Sequence, residues 1–179
     1  MKKIVECVPN FSEGRDMTVM EKITDEIKKI AGVELLDVDP GKDTNRTVVT
    51  FAGDPDAALE AAFQTIKKAS ELIDMSKQHG AHPRMGATDV CPFVPVSGVT
   101  MADCVEIAKK LGKRVAEELH IPIYLYEQSA RIPARQDLAY VRRGEFEGIR
   151  EEIRTNPERK PDFGPSEIHP SAGATAVGI

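Results

Sequence analysis

The sequence predicts an α/β fold of the α+β type, with a ferredoxin-like βαββαβ core and helices on one face of a mixed sheet. Segments rich in β-branched residues alternate with segments whose apolar residues recur every three or four positions, as in strands and amphipathic helices. Their order along the 179 residues is β-α-β-β-α-β-α-β. The first six elements match the split βαβ unit, and the last two form an extra αβ extension of the core.

Three long helices are predicted from apolar spacing, within residues 13–32, 54–74 and 100–120. Asp54 is the expected N-cap of the second helix, with Pro55 at its first helical position, and Thr100 is the expected N-cap of the third. Residues 134–155 are predicted to be helical but interrupted by glycines. Pairs of Lys and Arg on these helices, including residues 142–143, are interpreted as solvated surface.

Strands are predicted within residues 2–11, 33–41, 45–53, 88–98 and 121–127. The short connection between the second and third of these strands predicts a hairpin. Pro92 and Pro95 each remove a backbone donor from the fourth strand, so we expect that strand to lie at an edge or to be bulged. One face of the resulting sheet needs a further cover, from a partner or from a second domain.

Composition excludes several classes of function. The formal net charge is −5, which disfavours a general nucleic-acid binder but permits a local cationic site for an acidic small molecule. No apolar run is long enough to span a membrane, and the N-terminus lacks the apolar region of a signal peptide. The three cysteines are widely spaced, which predicts neither a disulfide framework nor a zinc site. We expect a reduced, cytoplasmic protein.

The stretch HGAHPRMGATDV, residues 79–90, holds two of the four histidines. His79 and His82 are three apart, but Gly80 and Pro83 exclude a shared helical face, so the sequence predicts no metal site. Two interpretations stay open: solvated loop histidines, or a general acid/base on a loop that aims it at a ligand. Asp89 follows close enough in the sequence to set the tautomer of His82.

Two further polar stretches lie at predicted strand ends. VPNFSEGR contains Asn10 and is explained either by a turn with a helix cap or by a polar rim that binds an anion. DVDPGKDTNRT contains Asp39, Asn45 and Arg46, and hairpin-turn chemistry explains most of it, because the order of ligands in a calcium loop is not met.

Five blocks of the sequence together resemble the formiminotransferase family, and in particular its N-terminal subdomain. They are VECVPNFSEG, LLDVDPGKDTNRTVVTFAG, LIDMSKQHGAHPRMGATDVCPFVPV, AEELHIPIYLYE and PDFGPS, in the order of the family. The resemblance runs from about Ile4 to the end of the chain and includes the specific block HPRMGATDV. It implies a ferredoxin-like fold with two subdomains whose sheets pack on each other.

The resemblance also implies a reaction and its residues. A formimino group passes from N-formimino-L-glutamate to N5 of tetrahydrofolate, the co-substrate, and His82 occupies the position of the catalytic histidine. The segment that corresponds to the family's folate-binding segment comprises Asp162, Phe163, Gly164, Pro165, Ser166, Glu167, Ile168, His169, Pro170, Ser171, Ala172 and Gly173. Because both substrates carry carboxylates, we expect Arg46 and Arg84 to bind them, with Asn10, Asp39 and Asn45 as further substrate-binding candidates.

The domain organisation follows from the same resemblance. Residues 1–160 are predicted to form the N-terminal subdomain, and residues 161–179 a loosely ordered connecting tail at the start of a C-terminal subdomain. The expected partners are the two small-molecule substrates, together with either a second copy in a homodimer or a C-terminal subdomain. The alternative is an isolated folate-binding or regulatory half-domain without full activity, which needs a second subdomain or a partner chain.

Overall fold

A seven-stranded mixed sheet and five α-helices form the chain, in a computed structural model that describes residues 1–179. The strands are β1 (Ile4–Cys7), β2 (Asn10–Phe11), β3 (Val33–Gly41), β4 (Arg46–Gly53), β5 (Thr88–Ser97), β6 (Ile123–Tyr126) and β7 (Thr175–Gly178). The helices are α1 (Met17–Lys28), α2 (Pro55–Leu72), α3 (Met101–Leu119), α4 (Leu138–Arg142) and α5 (Glu145–Glu152).

The sheet confirms the predicted core and its extension. β1 and β2 are two halves of one interrupted strand, and both pair antiparallel with β4 and with β5. β3 and β4 form the predicted hairpin, with β3 at the edge. The spatial order β3-β4-β1/β2-β5 is that of a ferredoxin-like sheet, and β7 and β6 continue it as parallel strands beyond β5.

The three long helices cover one face of this sheet. Their apolar residues pack with Phe11, Phe51 and Phe93, all fully buried, to form the main core. The predicted caps are present, because the Asp54 side chain accepts a hydrogen bond from the backbone N–H of Ala57, and Thr100 forms a capping box. No helix of the chain is both long enough and apolar enough to cross a membrane.

Of the two alternatives predicted for β5, an edge strand or a bulged one, the structure has the irregular, bulged strand and not the edge strand. β5 runs through the middle of the sheet, between β1/β2 and β7. Its register shifts against both halves of the interrupted strand. Pro92 is tolerated there because it lies opposite the gap between β1 and β2, where the Val8 N–H donates to the Pro92 carbonyl at 3.2 Å.

The expectation that residues 161–179 are loosely ordered is wrong. β7, from this segment, is inserted between β5 and β6, and all four of its residues are buried. Residues before it are held as well, since the Asp162 N–H donates to the Ile123 carbonyl at 2.8 Å. The segment is therefore an integral part of the sheet, because β5 and β6 have no other strand between them.

The second face of the sheet is covered only in part. α4 and α5 pack over the β7–β6 end, where Val141 and Ile149 join a smaller apolar cluster with Tyr124 and Tyr126. Over β3, β4 and β1 the same face has no cover within the chain. Apolar side chains are exposed near its rim, and Leu36 and Val96 each show 56% of their surface.

Candidate active site

The loop that carries His82 is fastened to the β3–β4 hairpin through Asn45. The Asn45 side chain accepts from the Gly14 N–H at 2.9 Å, and its amide donates to the Gln78 side chain at 2.7 Å and to the His79 carbonyl at 3.1 Å. Asn45 has a φ of 51°, which an asparagine tolerates better than most residues. The His79 side chain is exposed, so only its backbone takes part in this anchoring.

Arg84 fastens the other side of the same loop to α5. Its Nε and Nη2 donate to the Gln78 carbonyl at 3.1 and 2.7 Å. Nη1 contacts Glu145 Oε1 at 3.2 Å, and Nη2 contacts Glu147 Oε1 at 2.8 Å. Because each guanidinium nitrogen has a partner within the chain, Arg84 is engaged in holding the loop in shape.

Two arginines converge on the imidazole of His82. Nη1 of Arg46, at the start of β4, lies 2.5 Å from His82 Nε2, and Nη1 of Arg142, at the end of α4, lies 3.4 Å from it. An arginine can only donate, so Nε2 is the acceptor and the imidazole is neutral. Burial, followed by the charges of Arg46 and Arg142, lowers the pKa of His82 below its ordinary value. His82 therefore favours the unprotonated form at neutral pH, which can accept a proton.

Asp89, at the start of β5, is the buried anion of this cluster. Its Oδ1 accepts from the Met85 N–H at 2.7 Å, and Oδ2 lies 3.2 Å from Arg142 Nη1 without hydrogen-bond geometry. Burial raises the pKa of Asp89 to about 6, although Arg142 opposes the shift. The sequence suggested that Asp89 could set the tautomer of His82, but the two side chains make no direct contact. They are linked only through Arg142, whose Nη1 lies near both.

The raised pKa of Asp89 predicts a specific pH dependence of folding. The folded chain holds this proton more tightly than the unfolded chain, whose carboxyl keeps its ordinary value near 3.8. As the pH falls from about 7 to about 4, wild type should therefore gain about 2 to 3 kcal/mol of unfolding free energy relative to Asp89→Asn. Urea denaturation of both chains across this range measures the difference, and parallel pH profiles would contradict a proton held at Asp89.

An open pocket of about 410 Å³ lies beside the imidazole. It is lined by His82, Pro83, Ala139, Arg142, Arg143, Gly144 and Glu145. The interpretation of residues 142–143 as solvated surface is wrong for Arg142, whose side chain is only 15% exposed. Sequence reasoning missed Arg142 and Arg143 as site residues because α4 is a five-residue helix without apolar periodicity. Only the fold brings the C-terminal end of this helix to the histidine loop.

Asn10 and Asp39 share one row across the open face of the sheet. Asp39 on β3 pairs with Val48 on β4, and Val48 pairs with Asn10 on β2. Arg46 lies two residues before Val48 on the same strand and therefore on the same face. Neither Asn10 nor Asp39 lines the pocket beside His82. The structure thus joins Arg46 directly to His82 and places the other two candidates farther along the sheet face.

Residues 162–173 divide into a buried and an exposed part. Asp162 is paired with Arg135 at 3.1 Å and accepts from the Leu125 N–H at 2.7 Å, while Gly173, with a φ of 68°, packs against the Met85 carbonyl. Ala172 accepts from the Ala87 N–H at 2.9 Å, which ties this segment to the strand end that follows His82. These ends of the segment serve the sheet itself.

The middle of the same segment lines two other open cavities. One, of about 470 Å³, is formed by Leu119, His120, Pro165, Glu167, Ile168, His169 and Pro170. The other, of about 340 Å³, includes Arg150 from α5 and Arg154, two residues past the end of that helix. Within the segment, His169 Nδ1 accepts from the Ala172 N–H at 3.1 Å. Neither cavity shares a residue with the pocket beside His82.

Comparison with known proteins places these features in a family. Residues 4–179 match the model of the formiminotransferase domain, N-terminal subdomain. The chain is 54% identical over 178 residues to a formimidoyltransferase-cyclodeaminase of Dictyostelium discoideum and to a glutamate formimidoyltransferase of Streptococcus pyogenes. A glutamate formimidoyltransferase of Thermoplasma acidophilum is 49% identical over 177 residues.

These alignments cover nearly all of the chain but only part of each relative. They include 99% of this chain and 33% of the Dictyostelium protein, 99% and 59% for the Streptococcus protein, and 98% and 58% for the Thermoplasma protein. The chain therefore spans between about a third and three fifths of these relatives. On the family match and the identities together, the chain belongs to the formiminotransferase family and corresponds to its N-terminal subdomain.

Proposed function

We propose that the chain carries the acid/base site of a glutamate formimidoyltransferase. The reaction would move a formimino group from N-formimino-L-glutamate to N5 of tetrahydrofolate, which acts as co-substrate, and would release glutamate. The observation that carries this proposal is the neutral imidazole of His82, held between Arg46 and Arg142 at the edge of an open pocket. The names of the relatives support the class of reaction.

The chemistry requires one group that first accepts and then gives a proton. Attack of N5 on the formimino carbon forms a C–N bond and a tetrahedral intermediate, and N5 loses its proton to His82. When the bond from that carbon to the glutamate nitrogen breaks, the imidazolium returns the proton to the departing amine. A lowered pKa keeps His82 unprotonated at neutral pH, so that it is free to accept this proton, and makes the imidazolium a stronger acid for the second step.

The neighbouring residues divide between binding and support. We assign Arg46 to the charge of a substrate carboxylate, since its guanidinium lies beside the imidazole and only Nη1 contacts it. Arg84 is better suited to shaping the loop, because Gln78, Glu145 and Glu147 already use its donors. Asn45 likewise anchors the loop, and Asn10 and Asp39 stay predictions for substrate contacts farther along the sheet face.

Folate and a second subdomain complete the proposal. Residues 162–173 would hold part of the folate, a role supported by the open cavity that Ile168 and His169 line. The uncovered face over β3, β4 and β1 would receive a C-terminal subdomain, and a second copy in a homodimer is the alternative occupant. Three free cysteines, all buried, support a reducing location such as the cytoplasm.

A transfer assay tests the reaction class. The chain is incubated with N-formimino-L-glutamate and tetrahydrofolate, alone and with the remaining part of the Streptococcus pyogenes relative supplied as a separate chain. We expect release of glutamate that depends on both substrates. Folate binding without turnover under both conditions would instead favour a binding module that lacks the complete site.

A further inference from the structure

Arg142 uses its guanidinium differently from the other buried arginines. Arg84, Arg135 and Arg159 each commit both terminal nitrogens to carboxylates or carbonyls of the chain. In Arg142 every short contact falls on Nη1, which lies 3.1 Å from the Pro83 carbonyl and 3.2 Å from Asp89 Oδ2. Nη2 has no partner within the chain, so one edge of the guanidinium is unused.

Arg142 lines the same pocket as His82. The pocket, of about 410 Å³, is bounded on one side by the histidine loop and on the other by α4 and the start of α5. Arg143 borders it as well, but its Nη2 is paired with Glu158 Oε2 at 3.6 Å and its Nη1 donates to the Tyr140 carbonyl at 2.8 Å. In Arg142 the Nε is also buried without a hydrogen-bond partner, so a guanidinium with unmet donors lines a space large enough for a small organic molecule.

The charges around this pocket are out of balance. Glu145 also lines it, but its carboxylate accepts from both the side chain and the backbone N–H of Arg84, at 3.2 and 3.1 Å. Asp89 is the only carboxylate in contact with Arg142. Arg143 is paired with Glu158, so Arg46 and Arg142, opposed by Asp89, leave a net positive charge beside His82 Nε2, which favours an anionic ligand there.

Resting on the proposed function, we propose that Arg142 binds a carboxylate of the amino-acid substrate through its Nη2, while Asp89 holds the guanidinium in place. Arg142 thereby anchors the amino-acid substrate, and Asp89 is a positioning residue. A carboxylate bound at this edge places a negative charge near the imidazole, which strengthens His82 as a proton acceptor.

The charge state of His82 reports on this event. Charged groups face the imidazole from β4, β5, α4 and the start of α5, namely Arg46, Asp89, Arg142, Arg143 and Glu145. A carboxylate placed against Arg142 adds a negative charge to this set. It should therefore raise the pKa of His82 toward its ordinary value of 6.5.

Binding of L-glutamate to the isotope-labelled chain tests the proposal, with side-chain NMR signals of Arg142 and His82 as readouts. We expect saturable shifts and a rise in the pKa of His82. Arg142→Gln should weaken the affinity by about tenfold or more and abolish that rise. Lys113→Gln removes the same charge from a side chain that is 67% exposed, outside this pocket, and should leave the affinity within about twofold.

Two results would overturn the inference: no saturable glutamate shift in wild type, or an affinity of Arg142→Gln equal to that of wild type. If the NMR spectrum of Arg142→Gln shows that this variant is unfolded, Arg142→Lys is measured instead. Lysine keeps the positive charge but loses the paired N–H donors of the guanidinium. An affinity at least about threefold weaker then supports the role, and an unchanged affinity rejects it. Since binding is measured without turnover, an inactive chain that still binds glutamate through Arg142 would reject only the proposed function.

Discussion

Replacing His82 with glutamine is expected to lower kcat for formimino transfer by about 10² to 10⁴-fold, in an assembly that is active with the wild-type chain. Glutamine approximates the size of the imidazole and can still accept from Arg46, so the loop should keep its shape. What is lost is the group that takes the proton from N5 and returns it to the glutamate nitrogen. The KM for both substrates should change much less than kcat.

His79→Gln is the matched control for this substitution. His79 lies three residues earlier on the same loop, its side chain is exposed, and its recorded contact is made by the backbone carbonyl. Activity of this variant should stay within about twofold of wild type, as expected for an exposed site. If His82→Gln were as active as His79→Gln and as wild type, neither imidazole would transfer a proton in the reaction.

Gly86→Ala is expected to destabilise the chain by about 3 kcal/mol or more. A Cβ at Gly86 would lie 1.9 Å from the Ala174 carbonyl oxygen and 2.9 Å from that of Ala172. Both obstacles are backbone atoms of the segment that leads into β7, so no side-chain rotation relieves the clash. The substitution should therefore displace β7 from β5 and disturb the loop that bears His82.

Urea denaturation measures this effect, and Gly148→Ala provides a matched control. A Cβ at Gly148, inside α5, would meet only the Arg143 carbonyl, at 3.8 Å. This variant should gain about 0.5 to 1 kcal/mol, because alanine loses less backbone entropy than glycine in a helix. A Gly86→Ala chain as stable as wild type would mean that the close packing of β7 against the histidine loop contributes nothing to the fold.

Much of the architecture could be predicted from local signals. The apolar faces of α1, α2 and α3, the caps at Asp54 and Thr100, and the β3–β4 hairpin all depend on residues close together in sequence, so spacing was enough to locate them. β7 could not be found in this way. Its four residues, TAVG, carry no strand pattern of their own, and they become a strand only because β5 and β6 leave a gap between them.

The candidate site shows the same division. His82 was singled out because Gly80 and Pro83 shape a loop around it and because its block resembles a family motif. Arg46 was a candidate on chemical grounds and does contact the imidazole. The partnership of Arg142 with Asp89 joins residues 53 positions apart across two elements, and a sequence without fold coordinates contains no signal for such a contact. Arg84 illustrates the opposite case, because charge alone did not reveal that its donors are already engaged.

The pH dependence of kcat/KM tests the central claim most directly, namely that neutral His82 between two arginines is the active form. Because burial and the two arginines lower the pKa of His82, activity should persist below the pH at which an ordinary histidine becomes protonated. Asp89, with a pKa of about 6, also titrates in this range, so the profile is measured in an Asp89→Asn background. There we predict a single acidic limb with an apparent pKa below 6.5, and no such limb in the residual activity once His82→Gln is added. A limb above 6.5, or one that survives the added His82→Gln, would contradict the account.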